Sequence, residues 1–212
     1  EDAVTPPNTA EIVVSATRVA QPEDEAPASV SVITEEDFAI TQTERVGDAL
    51  RRVPGLSVVQ SGAAGQLTSV FTRGLRSEHT QVLIDGVPIN QGLQGAFNFA
   101  DLTVDDIARI EVVRGPQSTV YGPRALAGVI QLFTKQGAET PETSLSVEGG
   151  TYDTFRETLS SSGKVGDFDY SLGGSRLDTD NARPNNQYPL SSGFATLCIA
   201  PHQALRLNTL VD

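Results

Sequence analysis

From Ser144 onward the chain alternates large apolar residues with small polar ones, in extended segments cut by short turns. A period of two sends successive side chains to opposite faces, so this region is read as antiparallel strands with one apolar and one polar face. The segments are Ser144 to Gly149, Tyr152 to Ser161, Phe168 to Leu177, Phe194 to Ile199 and Ala204 to Val211, with turns such as Gly163-Lys164-Val165-Gly166 between them. In Phe168 to Leu177, Tyr170 and Leu172 share one side, while Asp169, Ser171, Gly173 and Ser175 share the other. Segments of about ten residues patterned in this way fit the lipid and lumen sides of an outer-membrane barrel strand. A water-soluble antiparallel sheet alternates in the same way, so periodicity alone leaves both open.

Upstream, residues 28–138 read as one α+β unit, a small mixed sheet with short helices. Ser29 to Thr34 is a strand. Thr34-Glu35-Glu36-Asp37 opens a helical turn, with a hydroxyl at the cap and an acid three residues on. Thr41-Gln42-Thr43-Glu44 repeats that pattern before Val46, Leu50 and Val53, an apolar stripe at helical spacing that Pro54-Gly55 ends. Leu56 to Val59, Ser69 to Thr72 and Thr80 to Ile84 are strands, the last followed by an Asp85-Gly86 turn. Thr103-Val104-Asp105-Asp106 is expected to cap another short helix, and Ile110 to Val113 and Val129 to Thr134 complete the strands.

Residues 1–27 have the composition of a flexible arm, with Pro6, Pro7, Pro22, Pro27 and the acidic run Glu23-Asp24-Glu25. One island, Glu11-Ile12-Val13-Val14-Ser15-Ala16-Thr17, interrupts it with three β-branched residues in a row, which prefer extended backbone. Its own residues leave open whether it is a stray edge strand of the next unit. Methionine is absent, including at position 1, so the chain is expected to begin after a removed leader, at a mature amino terminus.

Several function classes are excluded or unsupported. With 27 acidic against 15 basic residues and a net charge of −12, the chain is not a general nucleic-acid binder. No window approaches the roughly 18–20 apolar residues of a membrane helix. Cys198 is the single cysteine, so no internal disulfide forms, and it is read as a small apolar filler. His79 and His202 lie far apart and at no metal-ligand spacing with Cys198, and His79 is read as a solvated loop residue. The acid pairs Glu35-Glu36 and Asp105-Asp106 sit at helix starts, where capping explains them. No nucleophile elbow, phosphate loop or dinucleotide fingerprint is present, so nothing supports an enzyme.

One run stands apart: Ile110-Glu111-Val112-Val113-Arg114-Gly115-Pro116, then Tyr121-Gly122, then Ala127-Gly128-Val129-Ile130 and Thr134-Lys135. It is preceded by Val46-Gly47-Asp48-Ala49-Leu50-Arg51-Arg52-Val53-Pro54-Gly55-Leu56, by Phe71-Thr72-Arg73-Gly74-Leu75 and by Val82-Leu83-Ile84-Asp85-Gly86-Val87-Pro88. In this order the four stretches resemble the plug domain of TonB-dependent outer-membrane receptors. Ala127 stands where that family often has a second glycine. Val13-Val14-Ser15-Ala16-Thr17-Arg18, Ala49 to Gly55 and Gly65 to Phe71 are worded most like the cobalamin branch, though siderophore receptors share much of this wording.

The resemblance implies a plug followed by the first antiparallel strands of an incomplete transmembrane β-barrel, over residues 139–212. It implies an outer-membrane location, with plug and arm facing the periplasm. It makes the island Glu11, Ile12, Val13, Val14, Ser15, Ala16 and Thr17 the TonB box, whose partner is the periplasmic domain of TonB. The expected ligand is a large scarce nutrient, cobalamin favoured, with a ferric siderophore as the alternative, or else a plug-only periplasmic interaction or signalling module. By order along the chain, ligand would meet two loops through Gln60, Ser61 and Gln66 and through Asn90, Gln91, Gln94 and Asn98, whose amides both donate and accept. Arg73 and Arg114 are expected to pair with carboxylates of the plug or barrel wall. No covalent cofactor is expected. The resemblance allows calcium in the full-length receptor at Asp178-Thr179-Asp180-Asn181, although that loop has few carboxylates for such an ion and reads better as a solvated turn. A plugged transporter needs about 22 strands. At about 9–11 residues per strand, the residues after the plug supply at most about five, so the chain is expected to be a fragment of a longer product or a truncated reading frame.

Overall fold

The computed structural model describes residues 13–14, 21–22, 29–90, 95–166, 168–181 and 187–199. On the arm, β1 (Val13–Val14) and β2 (Gln21–Pro22) form a two-residue antiparallel ladder. In the next unit come β3 (Ser29–Thr34), α1 (Glu35–Thr41), α2 (Val46–Leu50), β4 (Leu56–Gln60), β5 (Thr68–Thr72), β6 (Thr80–Ile84), β7 (Val87–Pro88), β8 (Ile107–Arg114), α3 (Ser118–Tyr121) and β9 (Gly128–Thr134). A five-stranded mixed sheet has the order β3-β8-β9-β6-β7, with β6 and β9 parallel and the other pairs antiparallel. The β4-β5 hairpin stands apart from it.

The interior strand β8 explains the layering. In its run Ile-Ala-Arg-Ile-Glu-Val-Val-Arg the four residues Ile110 to Val113 are buried in succession, as a strand covered on both faces requires. On one face Ile110 and Val112 join Ile130, Leu132 and Val82 in a core closed by Phe38, Val46 and Leu50 of the helices and Val70 of the hairpin. On the other face Val113 packs with Val129, Leu83 and Ala125. The stripe Val46, Leu50 and Val53 is buried, as its spacing demands. Asp85 and Gly86 both have positive φ, 46° and 82°, giving the turn that returns β6 into β7.

The two capping patterns part company here. At Thr34 the capping box forms, the Asp37 N–H donating to Thr34 Oγ1 and the Thr34 N–H to Asp37 Oδ2. The second pattern, Thr41 to Glu44, does not cap α2. Thr41 ends α1 instead, its hydroxyl donating to the Asp37 carbonyl at 2.6 Å. The residue before α2 is Arg45, which bridges to Thr103, and the Val46 N–H donates to the Leu102 carbonyl. A tertiary acceptor thus does what the side-chain cap was expected to do. The same bridge prevents a helix at Thr103 to Asp106. That segment is a single turn, and β8 already starts at Ile107.

Beyond residue 138 lie β10 (Glu142–Gly149), β11 (Phe155–Val165), β12 (Phe168–Thr179) and β13 (Tyr188–Ile199), an antiparallel meander in that order. The turn read at Gly163 to Gly166 is shorter than expected. Gly163, Lys164 and Val165 still pair with Tyr170, Asp169 and Phe168. The segment Ala204 to Val211 lies outside the described residues. The two faces differ as the period of two requires. Ser160, Ser162 and Ser171 line a gap against Ala108 and Lys135 of the plug. Leu145, Val147, Leu159, Val165 and Leu172 are exposed on the meander. The architecture is therefore an α+β plug followed by the opening strands of a barrel wall, polar toward the plug. Among the described residues no helix is long and apolar enough to cross a membrane, which says nothing of strands.

Candidate functional site: arm, loops and plug–wall contacts

Of the box residues, Val13 and Val14 are in β1, while Glu11, Ile12, Ser15, Ala16 and Thr17 lie outside the described residues. Val13 faces Pro22 and Val14 faces Gln21 across the ladder. Pro22 has no N–H to donate, and the ladder is only two residues long, so the arm holds its own strand weakly.

The first of the two loops read as ligand-facing is built on the end of β4. Gln60 accepts from Arg51 at 3.2 Å and donates to the Ala63 carbonyl at 2.6 Å, so its amide is spent inside the plug. Ser61 and Gln66 are exposed, and their side chains make no hydrogen bond among the described residues. Gly65, at φ 82°, lies so close to the Tyr188 ring that a Cβ there would collide with it. The loop therefore leans on the wall. In the second loop, Gln91 and Gln94 lie outside the described residues. Asn90 is buried. Its Oδ1 accepts from Gln81 and from the Val82 N–H, and its Nδ2 donates to the carbonyls of Thr80 and Gly95, each at 2.9 Å. This corrects the reading of Asn90 as a ligand-facing amide: it is a staple of the plug. Asn98 is exposed, but its Oδ1 accepts from the N–H groups of Thr68 and Ala100 and ties the loop to β5.

Neither Arg73 nor Arg114 makes an ion pair among the described residues. Arg114 donates to the carbonyls of Ser29, Val30 and Pro54 and to Ser31 Oγ, so its guanidinium fork binds β3 and the turn after α2 to the end of β8. Carbonyls and a hydroxyl thus satisfy its donors. Arg73 sits at φ 51°, its N–H on the Gly55 carbonyl, and has no ion pair among the described residues.

Contacts that the sequence did not disclose hold the plug to the wall. Arg156 of β11 pairs with Asp105 at 2.6 Å and Glu44 at 3.4 Å. Asp105 also accepts from Ser175 of β12 at 2.9 Å, and the Tyr188 hydroxyl of β13 donates to Asp101. No local spacing announces these partners; Arg156 and Asp105 are 51 residues apart. A second feature is an open cleft of about 570 Å³ lined by Arg76, Glu78, His79, Gly95, Pro123 and Arg124. His79, read as a solvated loop residue, thus shares a cleft with two guanidinium groups. At the suggested calcium loop, Asp178 pairs with Arg176 at 2.8 Å and Asp180 accepts from Gln187.

Burial pushes the Asp106 carboxyl up from 3.8 to about 6; Asp105 and Asp85 add to the rise, while a bond from its own backbone N–H and the charge of Lys135 oppose it. A raised carboxyl means that ionisation is disfavoured in the fold. The penalty is complete above about pH 6 and is relieved as pH falls toward 4. Asp106→Asn is therefore expected to stabilise the chain by about 1–2 kcal/mol near pH 8. That gain should vanish near about pH 4. Urea titrations followed by circular dichroism at the two pH values check this, and an equal gain at both would reject the electrostatic cause.

The family model described as TonB-dependent Receptor Plug Domain matches residues 22–129. Among solved structures, the chain is similar to FpvA of P. aeruginosa bound to heterologous pyoverdines, with 20% identity over 90% of this chain and TM-score 0.79. It is similar to the ferric yersiniabactin uptake receptor FyuA from Yersinia pestis, with 25% identity over 82% and TM-score 0.65. It is also similar to the siderophore receptor PiuA from Acinetobacter baumannii, with 24% identity over 84% and TM-score 0.71. The chain spans 25%, 29% and 25% of the lengths of these three.

Proposed function

Since the chain belongs to the TonB-dependent receptor plug family, we propose that it is the gate and first wall of an outer-membrane receptor that imports a ferric siderophore. The observation that carries this reading is the likeness, plug and wall together, to the ferric yersiniabactin uptake receptor. The guanidinium groups of Arg76 and Arg124 line one cleft beside Glu78, which pairs with Arg76, and the excess of positive charge suits an anionic chelate. The wording shared with the cobalamin branch finds no support in these structures, and the siderophore reading takes precedence. In the whole receptor the arm and plug face the periplasm, and the box adds as a strand to the periplasmic domain of TonB. The work is transport, and no chemistry on the ligand is required of any residue here.

The test is a titration of the full-length receptor in outer membranes lacking TonB, with a ferric siderophore panel labelled in the iron and with cyanocobalamin. Saturable binding of one ferric siderophore, undisturbed by excess cyanocobalamin, is the expected result. Cyanocobalamin binding that calcium strengthens would return the receptor to the cobalamin branch.

A further inference from the structure

We infer that Arg156 is a latch by which the barrel wall holds the plug in place, gripping two plug loops that move as one. The loops are Glu44-Arg45 and Asp101 to Asp105. They are joined by the Arg45–Thr103 bridge, by the Val46 N–H on the Leu102 carbonyl at 3.0 Å and by the Val104 N–H on the Glu44 carbonyl at 3.1 Å. Val46 and Val104 root both loops in the core. Three consecutive wall strands reach this joined unit, through Arg156, Ser175 and Tyr188, whose ring also lies under the Arg45 guanidinium at 5.4 Å.

The two halves of the grip are unequal. The side chains of Arg156 and Asp105 are 9% and 12% exposed, and Ser175 completes the carboxylate. Glu44 is 47% exposed and its contact is longer, at 3.4 Å. An exposed, longer ion pair is screened by water and yields first, whereas a buried, hydrogen-bonded one does not. The route of force favours the same order. From the arm the chain runs through β3, an edge strand of the sheet, and α1, and the first described plug residue to make an ion pair with the wall is Glu44. A pull on the arm thus loads the weaker contact before the Asp105 contact.

This rests on the receptor reading only in requiring a closed wall. Hydrogen exchange on the full-length receptor in outer membranes, without TonB or ligand, tests it. Arg156→Gln is expected to speed exchange in peptides spanning residues 43–47 and 100–106 by at least about tenfold, with the β6 and β9 core unchanged. Asp105→Asn is expected to do nearly as much, Glu44→Gln clearly less and only near residue 44, and Arg156→Lys to fall between wild type and Arg156→Gln. Unchanged exchange in both loops, or equal acceleration throughout the plug, would overturn the latch. Ferric-siderophore binding with no local exchange effect would sink the latch alone. The local effect in a receptor that binds no ferric siderophore would sink the siderophore reading alone.

Discussion

Val14→Pro in the full-length receptor is expected to abolish energised uptake while leaving surface binding of ligand unchanged. On the proposed reading the box would act through its backbone, by lending N–H and C=O groups to the edge of a partner sheet. Val14 already adopts extended backbone and forms a ladder with Gln21, the conformation that such an addition requires at this residue. Proline at this position removes one donor, and its ring obstructs the neighbouring strand. Each net ladder bond is worth about 1 kcal/mol. Losing one or two, with the added clash, costs about 2–3 kcal/mol, on the order of a hundredfold in affinity. The same proline also frees the arm from β2, so stronger self-pairing cannot account for the loss. Val14→Ala keeps every backbone group and should transport within a few-fold of wild type. Uptake of radiolabelled ferric siderophore at the wild-type rate by Val14→Pro would remove the box from this role.

What could be read in advance follows the range of the interactions. The Thr34 cap, the Asp85-Gly86 turn and the buried stripe Val46, Leu50 and Val53 are all decided within a few residues, and they stand as read. The polar and apolar faces of β12 follow from a period of two and stand likewise: Ser171 is buried and Leu172 exposed. Thr41 to Glu44 and Thr103 to Asp106 carry equally good local patterns and fail, because Arg45 and Thr103 meet each other, and that meeting decides both segments. Asn90 misled for a related reason. An amide in a Gly- and Gln-rich loop has the same composition whether it faces ligand or is consumed by Thr80, Gln81, Val82 and Gly95. Arg156 was invisible because its acids lie in distant loops, and the acids had a sufficient local explanation as helix caps.

The second large effect is expected at Gly128. Gly128→Ala should destabilise the plug by about 3–5 kcal/mol, more than a typical core truncation. Gly128 opens β9 opposite Arg114, and a Cβ there would be driven into the Val113 carbonyl of β8, with Thr72 Cγ2 at 3.4 Å behind it. The obstacle is backbone, so no rotamer change relieves it. Nor does β8 have room to retreat: Val112 and Val113 are buried on opposite faces, and β3 holds its far edge. Gly74 provides the contrast. It has positive φ with nothing within 4 Å of an added Cβ, so Gly74→Ala pays only the backbone term, about 1 kcal/mol. The same geometry explains a departure noted in the sequence, Ala127 where the family often has glycine. Ala127 is buried and donates its N–H to the His79 carbonyl, and its methyl has a place in the fold. Of the two positions, only 128 needs the missing side chain. Thermal unfolding and limited proteolysis of the receptor variants measure both effects. A Gly128→Ala plug as stable as Gly74→Ala would mean that β8 and β9 do not approach as closely as their pairing here requires.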